Sequence, residues 1–263
     1  METIPSIDGT QIAYRRSGAG SPFVLVHGGT ADHSRWTPIL PPLERHFTVY
    51  AVDRRGRGGS GDTQPYAIQR EFEDIAALID SIGERVDVLG HSFGAFCALE
   101  AALLTPNIRK LILYEPPPSG VKGTLPPETV ARMQARLEAG DRDGVISTFL
   151  LEVARLPPHE VEMMRSLPAW QGRKAAAHTI LREIEGLEAH PPIDAERFKR
   201  LETTTLLLLG GDSPAAYKQN IEAINAILPN SRIVILPGQQ HVAMNTAPDL
   251  FVREVLAFLL DNP

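Results

Sequence analysis

Residues 86–99 read VDVLGHSFGAFCAL. The apolar run Val86–Leu89 has the length of a buried strand, and the small and apolar residues after Gly94 fall at helical spacing. Between them stands Gly90-His91-Ser92-Phe93-Gly94, a serine with a glycine two residues to either side. A hydroxyl that attacks a substrate must stand clear of its neighbours, on a sharp turn where a strand gives way to a helix. Glycines at 90 and 94 let strand and helix approach closely while Ser92 takes a strained conformation, and the helix start turns its positive end to the same place. Ser92 is therefore a candidate nucleophile. Without the strand before it and the helix after it, the same letters would be an ordinary loop.

Outward from this turn the chain alternates. Phe23–Val26, Phe47–Val52, Val86–Leu89, Lys110–Tyr114, Thr205–Leu209 and Arg232–Leu236 are β-like runs, the apolar ones nearly continuous as in strands covered on both faces. Segments 68–82, 93–105, 215–228 and 248–260 read as helices; in the first, Ile68, Phe72, Ile75, Leu78, Ile79 and Ile82 share one stripe. Residues 2–17 read as two short strands with a turn at Asp8-Gly9. This order predicts an α/β fold, with a mostly parallel, doubly wound sheet. The alternation lapses once, from Glu115 to about Leu201. Pro116-Pro117-Pro118 opens that stretch, helix-like pieces at 126–139, 142–154, 158–167 and 173–187 fill it, and Pro191-Pro192 marks its exit. The sheet pattern resumes at once, so 116–201 is read as a helical lid over a core made of 1–115 and 202–263. A separate small domain is the alternative.

The 263 residues are 43% hydrophobic and 22% charged, and 26 Lys and Arg against 32 Asp and Glu give a net charge of −6. That balance argues against nucleic acid or an anionic membrane as partner. The single cysteine, Cys97, allows no internal disulfide and fits a reducing compartment. The stretch METIPSIDGTQIAYRR lacks the apolar core of a signal peptide, and no apolar run approaches the ~20 residues of a spanning helix. The expectation is a cytoplasmic protein acting on a small molecule, with a homodimer left open.

A serine hydroxyl needs a base. Of eight histidines, His241 lies in RIVILPGQQHVAM, after the last strand and before the last helix. That places it at the carboxyl end of the sheet, with Ser92. His91 is read as structural, and His159, His178 and His190 as surface residues of the insertion; His33 and His46 suggest no role. FVLVHGGT ends a strand with His27-Gly28-Gly29, where the Gly29 N–H can approach an anion; the Phe93 N–H, next to the nucleophile, is the natural second donor of an oxyanion hole. A mere tight turn is the bland reading of the two glycines. No His-Glu-x-x-His or Cys/His cluster calls for a metal, and no cofactor is expected. Gly56, Gly58 and Gly61 match a dinucleotide fingerprint by letters, but the next helix starts only near Ile68, too late for that role.

HGG at 27–29, DRRGRGGS at 53–60, GHSFG at 90–94 and PGQQH at 237–241 resemble, in order and spacing, the motifs of the α/β-hydrolase family, and the resemblance covers essentially the whole chain. It implies a mainly parallel eight-stranded sheet, a cap after the sixth strand, and a Ser–acid–His triad: Ser92 as nucleophile, His241 as base, Gly29 and Phe93 as oxyanion donors. It also implies that segment 53–60 is structural. The serine argues against the dehalogenase and epoxide-hydrolase branches, whose resemblance would demand aspartate.

The acid departs from the family pattern. Its usual place is the loop after the seventh strand, here LLLLGGDSP, where the counted position falls on Ser213 and Asp212 stands one residue early. Glu115, in LILYEPPP after the sixth strand, is the other candidate and the preferred one; some relatives, certain haloalkane dehalogenases among them, carry the acid there. Its bland reading is an anchor for the cap. Met133, Met163, Met164, Leu167 and Trp170 either line an apolar pocket or pack the insertion on itself. Arg54, Arg55 and Arg57 are expected to pair locally. The expected activity is hydrolysis of a small, mainly apolar ester, lactone or thioester through an acyl-enzyme. Perhydrolysis, C–C bond hydrolysis, a lyase and a ligand sensor without turnover remain open, since all share the triad.

Overall fold

Eight strands form one sheet in the computed structural model, which describes residues 1–123 and 125–261. They are β1 (Glu2–Pro5), β2 (Gln11–Gly18), β3 (Ser21–Val26), β4 (Phe47–Val52), β5 (Val86–His91), β6 (Ile108–Tyr114), β7 (Thr204–Gly210) and β8 (Ser231–Leu236). Their spatial order is β1-β2-β4-β3-β5-β6-β7-β8; β2 pairs antiparallel with β1 and β4, and every later pairing is parallel. The hairpin start and the parallel sheet follow the sequence pattern. Strand β8 departs from it: at the edge of the sheet it is only partly covered, and Ile235 is 55% exposed.

Each face of the sheet has its own apolar core, because neighbouring side chains on a strand point to opposite faces. Phe23 and Leu25 of β3 join Leu206 and Leu208 of β7 and the Pro248–Leu260 helix on one face. Val24, Val26, Leu207 and Leu209 meet the Ile68–Ile82 and Ala215–Ile227 helices on the other. The Ile68–Ile82 helix also buries Glu71 and Asp74 beside its apolar stripe. They receive Arg54 and Arg55, with Arg55 Nε on Asp74 Oδ2 at 2.7 Å and Arg54 Nε on Glu71 Oε2 at 3.1 Å.

Residues 115–203 join β6 to β7 and contain helices and no strand among the described residues. Helices Pro127–Glu138, Arg142–Thr148 and Pro158–Arg165 lie close to the sequence expectation. The last long piece begins earlier than expected, at Ala169 rather than 173, because Pro168 sits at its start and the turns Ala169–Ala175, Ala176–Thr179 and Ile180–Ala189 run on without a break. At Phe149–Val153 the backbone widens into a π turn, Ala154 N donating to Phe149 O five residues back at 2.9 Å. The arginines of segment 53–60 do not pair only locally: Arg54 and Arg57 both donate to Glu183, on the Ile180–Ala189 helix. This fastens the helical segment to the core through groups that water does not reach.

Gly90 and Gly94 make the strand–helix turn possible. A Cβ on Gly90 would lie 2.5 Å from Ala95 Cα, and one on Gly94 would fall on the backbone carbonyls of Val26 and His27. The predicted consequence is that Gly94→Ala destabilises the fold by about 3 kcal/mol, since backbone and not a flexible side chain must yield. Urea unfolding measures it, and an unchanged midpoint would contradict the packing described.

Candidate active site

Ser92 sits between β5 and the buried helix Phe93–Ala101 with φ 54° and ψ −126°. Non-glycine residues reach such angles only when their surroundings hold them, at a cost of about 1–3 kcal/mol. The hold is visible: Ser92 N donates to Tyr114 O at 2.8 Å, and the two glycines admit no alternative packing. Thr30, Glu115 and Arg155 share the left-handed region, with φ 58°, 46° and 54°. Glu115 adjoins Tyr114, and Thr30 and Arg155 line the cavities that open on Ser92.

Glu115 follows β6 and is wholly buried. Its Oε2 accepts from His241 Nδ1 at 2.6 Å, and its Oε1 accepts from Gly210 N at 2.8 Å and Ser213 Oγ at 2.6 Å. Asp212 is exposed, and among the described residues only its backbone N–H is engaged, donating to Gln239 O at 2.9 Å. The structure thus sets Glu115, and not Asp212, against His241. The reason is the one-residue offset: Ser213 takes the position counted for the acid, and its hydroxyl turns inward to the Glu115 carboxylate.

His241 is held from several sides. His91 Nε2 donates to the His241 carbonyl at 2.8 Å, and the rings of His91 and Tyr217 stand 4.7 and 4.9 Å from its own. Tyr114 Oη donates to Gln240 O and accepts from Ala243 N at 3.2 Å, which fixes the loop before and after the imidazole. His91 is therefore a support beneath His241, kept neutral by burial and by that neighbouring ring. His27 is likewise neutral, its pKa driven far down by burial and then by Arg54; its Nε2 accepts from Arg54 N at 3.1 Å. Ser213, Tyr114 and Tyr217 were not identified from the sequence. Only Ser213 left a signal there, as the residue standing where the acid was counted.

Gly28 and Gly29 lie beside the elbow. A Cβ on Gly28 would be 3.0 Å from that of Ser92, and one on Gly29 would be 3.2 Å from Glu183 Oε2. Phe93 N opens the Phe93–Ala101 helix, where first-turn donors have no partner within the helix. Ser92 Oγ makes no hydrogen bond to His241 among the described residues, but the two side chains line one small cavity of about 20 Å³. Bonds of this kind commonly tighten only once substrate is bound.

A larger cavity of about 290 Å³ also opens on Ser92, walled by Phe93, Phe149, Val153, Ile180, Ile184 and Leu187 among others. Its lining decides between the two readings of the insertion's apolar residues. Met133 and Trp170 are buried in the apolar core, Met163 and Leu167 are exposed, and Met164 borders only the small cavity. His159 and His178 are exposed as expected, but His190 is buried between Phe72 and Phe96, 3.9 Å from Glu100. Among the described residues, Asp32, His33 and Asp53 stand close enough to share a metal ion. There, however, Asp53 accepts from His33 N (2.7 Å) and Gly59 N (2.9 Å), and Asp32 caps the His33–Trp36 turn, so these groups already have structural partners.

Residues 23–254 match the model of the alpha/beta hydrolase family. An alpha/beta hydrolase from Sphaerobacter thermophilus DSM 20745 is 38% identical, with a TM-score of 0.84 over 98% of this chain and 100% of that one. The pimeloyl-[acyl-carrier protein] methyl ester esterase of Aeromonas hydrophila is 27% identical over 94% of this chain and 99% of its own. An esterase from Rhodococcus sp. ECU1013, 23% identical with a TM-score of 0.80 over 99% and 98% of the two chains, shares the fold.

The geometry around His241 makes a sharp prediction. Glu115→Gln keeps the shape but loses the charge that orients and stabilises the imidazolium, so kcat falls by about 10³–10⁴-fold. Asp212→Asn stays within roughly twofold, as expected of an exposed residue with no side-chain partner in the site. Steady-state hydrolysis of p-nitrophenyl butyrate compares the two, and the opposite order would return the role to Asp212.

Proposed function

The chain belongs to the alpha/beta hydrolase family, and from that membership we propose a serine hydrolase that cleaves a small, mainly apolar ester, lactone or thioester through an acyl-enzyme. The observation that carries the mechanism is the 2.6 Å bond from His241 Nδ1 to a buried carboxylate. It leaves Nε2 as the basic nitrogen and aims the ring into the cavity that Ser92 lines. Ser92 Oγ attacks the carbonyl carbon as His241 Nε2 takes its proton, and Glu115 stabilises the imidazolium. The N–H groups of Gly29 and Phe93 receive the developing oxyanion. His241 then protonates the leaving alcohol or thiol. Water, deprotonated by the same ring, attacks the acyl-enzyme and frees Ser92.

The 290 Å³ cavity and its aromatic and aliphatic walls support a substrate with one compact apolar part. We take residues 116–201 as the lid over a core of 1–115 and 202–263, because this segment supplies most of those apolar walls. Among the described residues no helix is long and apolar enough to cross a membrane. A cytoplasmic location is the reading favoured by the single cysteine, Cys97, buried and unpaired.

A fluorophosphonate probe on wild type and Ser92→Ala tests the nucleophile, with p-nitrophenyl acetate and butyrate as substrates. Labelling should vanish in Ser92→Ala and kcat should fall by about 10⁴-fold or more. Labelling that survives the substitution would remove Ser92 from the role. Stoichiometric labelling without turnover would instead give the site to ligand sensing.

A further inference from the structure

The buried arginines of this protein fall into two groups. Arg54 has Glu71 and Glu183, Arg55 has Asp74 and Asp8, and Arg57 has Glu183. Arg35 and Arg173 are also buried, each 6% exposed, yet neither forms an ion pair among the described residues. Arg35, on the His33–Trp36 turn, reaches only Met164 Sδ with Nη1 at 3.9 Å, and its Nε has no partner. Arg173, on the Ala169–Ala175 helix, donates Nη1 to the Thr30 carbonyl at 3.0 Å and the Thr30 hydroxyl at 2.9 Å, which are neutral acceptors.

Both side chains line the small cavity that Ser92 and His241 share, and none of its 14 lining residues is Asp or Glu. The anionic group from the helical segment that acts on Arg35 is Glu160. It is beyond ion-pair distance, its Oε2 has no partner, and burial raises its pKa, which weakens it as a counter-charge. Burial and the neighbouring Arg173 pull Arg35 down to about 9, and burial, opposed by the Asp32 carboxylate outside the cavity lining, pulls Arg173 down to about 10, so both remain cationic at neutral pH. Two buried positive charges with no carboxylate within ion-pair distance among the described residues are a standing cost to the fold. A chain that pairs every other buried arginine directly leaves these two without a carboxylate in contact.

We propose that Arg35 and Arg173 form a carboxylate subsite, so that the ester cleaved at Ser92 carries a carboxylate a few bonds from the scissile carbonyl. This rests on Ser92 being the nucleophile and narrows the substrate class. The cavity that both side chains line is small, about 20 Å³, so the anionic group it takes must be compact. A guanidinium with unused N–H groups matches a planar carboxylate. The apolar remainder of the substrate takes the larger cavity on the other part of Ser92's surroundings.

The test compares kcat/KM for monoethyl succinate and O-butyryl glycolate, with the carboxylate on the acyl and alcohol sides respectively, against neutral ethyl butyrate. Wild type should prefer at least one anionic ester by about tenfold or more, and in Arg35→Met that ratio should fall to near one. Arg35→Met should melt no lower than wild type, because a buried unpaired charge is replaced by an apolar chain of similar length. A lower melting point with the ratio unchanged would make Arg35 structural and overturn the proposal. A second measurement needs no change at Arg35: calorimetry of succinate and glutarate on Ser92→Ala protein. Saturable binding supports the subsite, whereas no binding together with no anionic preference ends it. Ester cleavage that persists in Ser92→Ala would defeat the nucleophile assignment alone, leaving the calorimetry to decide the subsite.

Discussion

A carboxylate with no access to water must have its lone pairs met by the protein, and Glu115 meets this demand with donors from three chain segments. The end of β7 gives a backbone N–H, the loop after it gives the Ser213 hydroxyl, and the loop after β8 gives His241. An isolated buried anion would cost several kcal/mol. Satisfied in this way, it ties the carboxyl ends of β6, β7 and β8 to one point. Tyr114, the preceding residue, extends the knot: its carbonyl holds Ser92 N and its hydroxyl holds the His241 loop. The positions of Ser92, His241 and Glu115 are thus consequences of one hydrogen-bonded cluster at the top of the sheet.

The surroundings of Ser92 are unequal. One cavity is walled by aromatic and aliphatic groups, mostly from the helical segment; the other is small and edged by two arginines and two histidines. Glu183 stands in the wall of the first, fastened to Arg54 and Arg57 of the core. Its other oxygen lies close to Gly29. The helical segment therefore does more than cover the site: a charge from it borders the place assigned to the oxyanion.

Much of this could be read from the letters because it rests on local rules. Strand–helix alternation and the glycines at 90 and 94 required a particular backbone, and the backbone is there. The choice of acid could be narrowed to Glu115 and Asp212 but not closed, since which carboxylate meets an imidazole 126 residues away depends on how two loops turn. For Arg54, Arg55 and Arg57 the sequence suggests local pairing, because charge pattern along a chain says nothing about a partner on a segment more than 120 residues distant. His190 was misjudged for the same reason: its burial is made by Phe72 and Phe96 of the core, not by its own helix. The methionines stay open between pocket and packing in the sequence because an amphipathic piece does not say which of two apolar neighbours it will face.

The widened turn at Phe149–Val153 bears on how such a protein can diversify. Phe149 and Ala154, at its two ends, touch both cavities. A π turn holds one residue more than the α-helical turn it replaces at the end of the Arg142–Thr148 helix. Loss of a single codon there would let the coil tighten and turn the residues just after it, Ala154 among them, by roughly 100° about the helix axis. Both pockets would be recut in one event, while serine, imidazole and carboxylate, all anchored at strand ends, would keep their places. Selectivity could then drift quickly over a chemistry that does not.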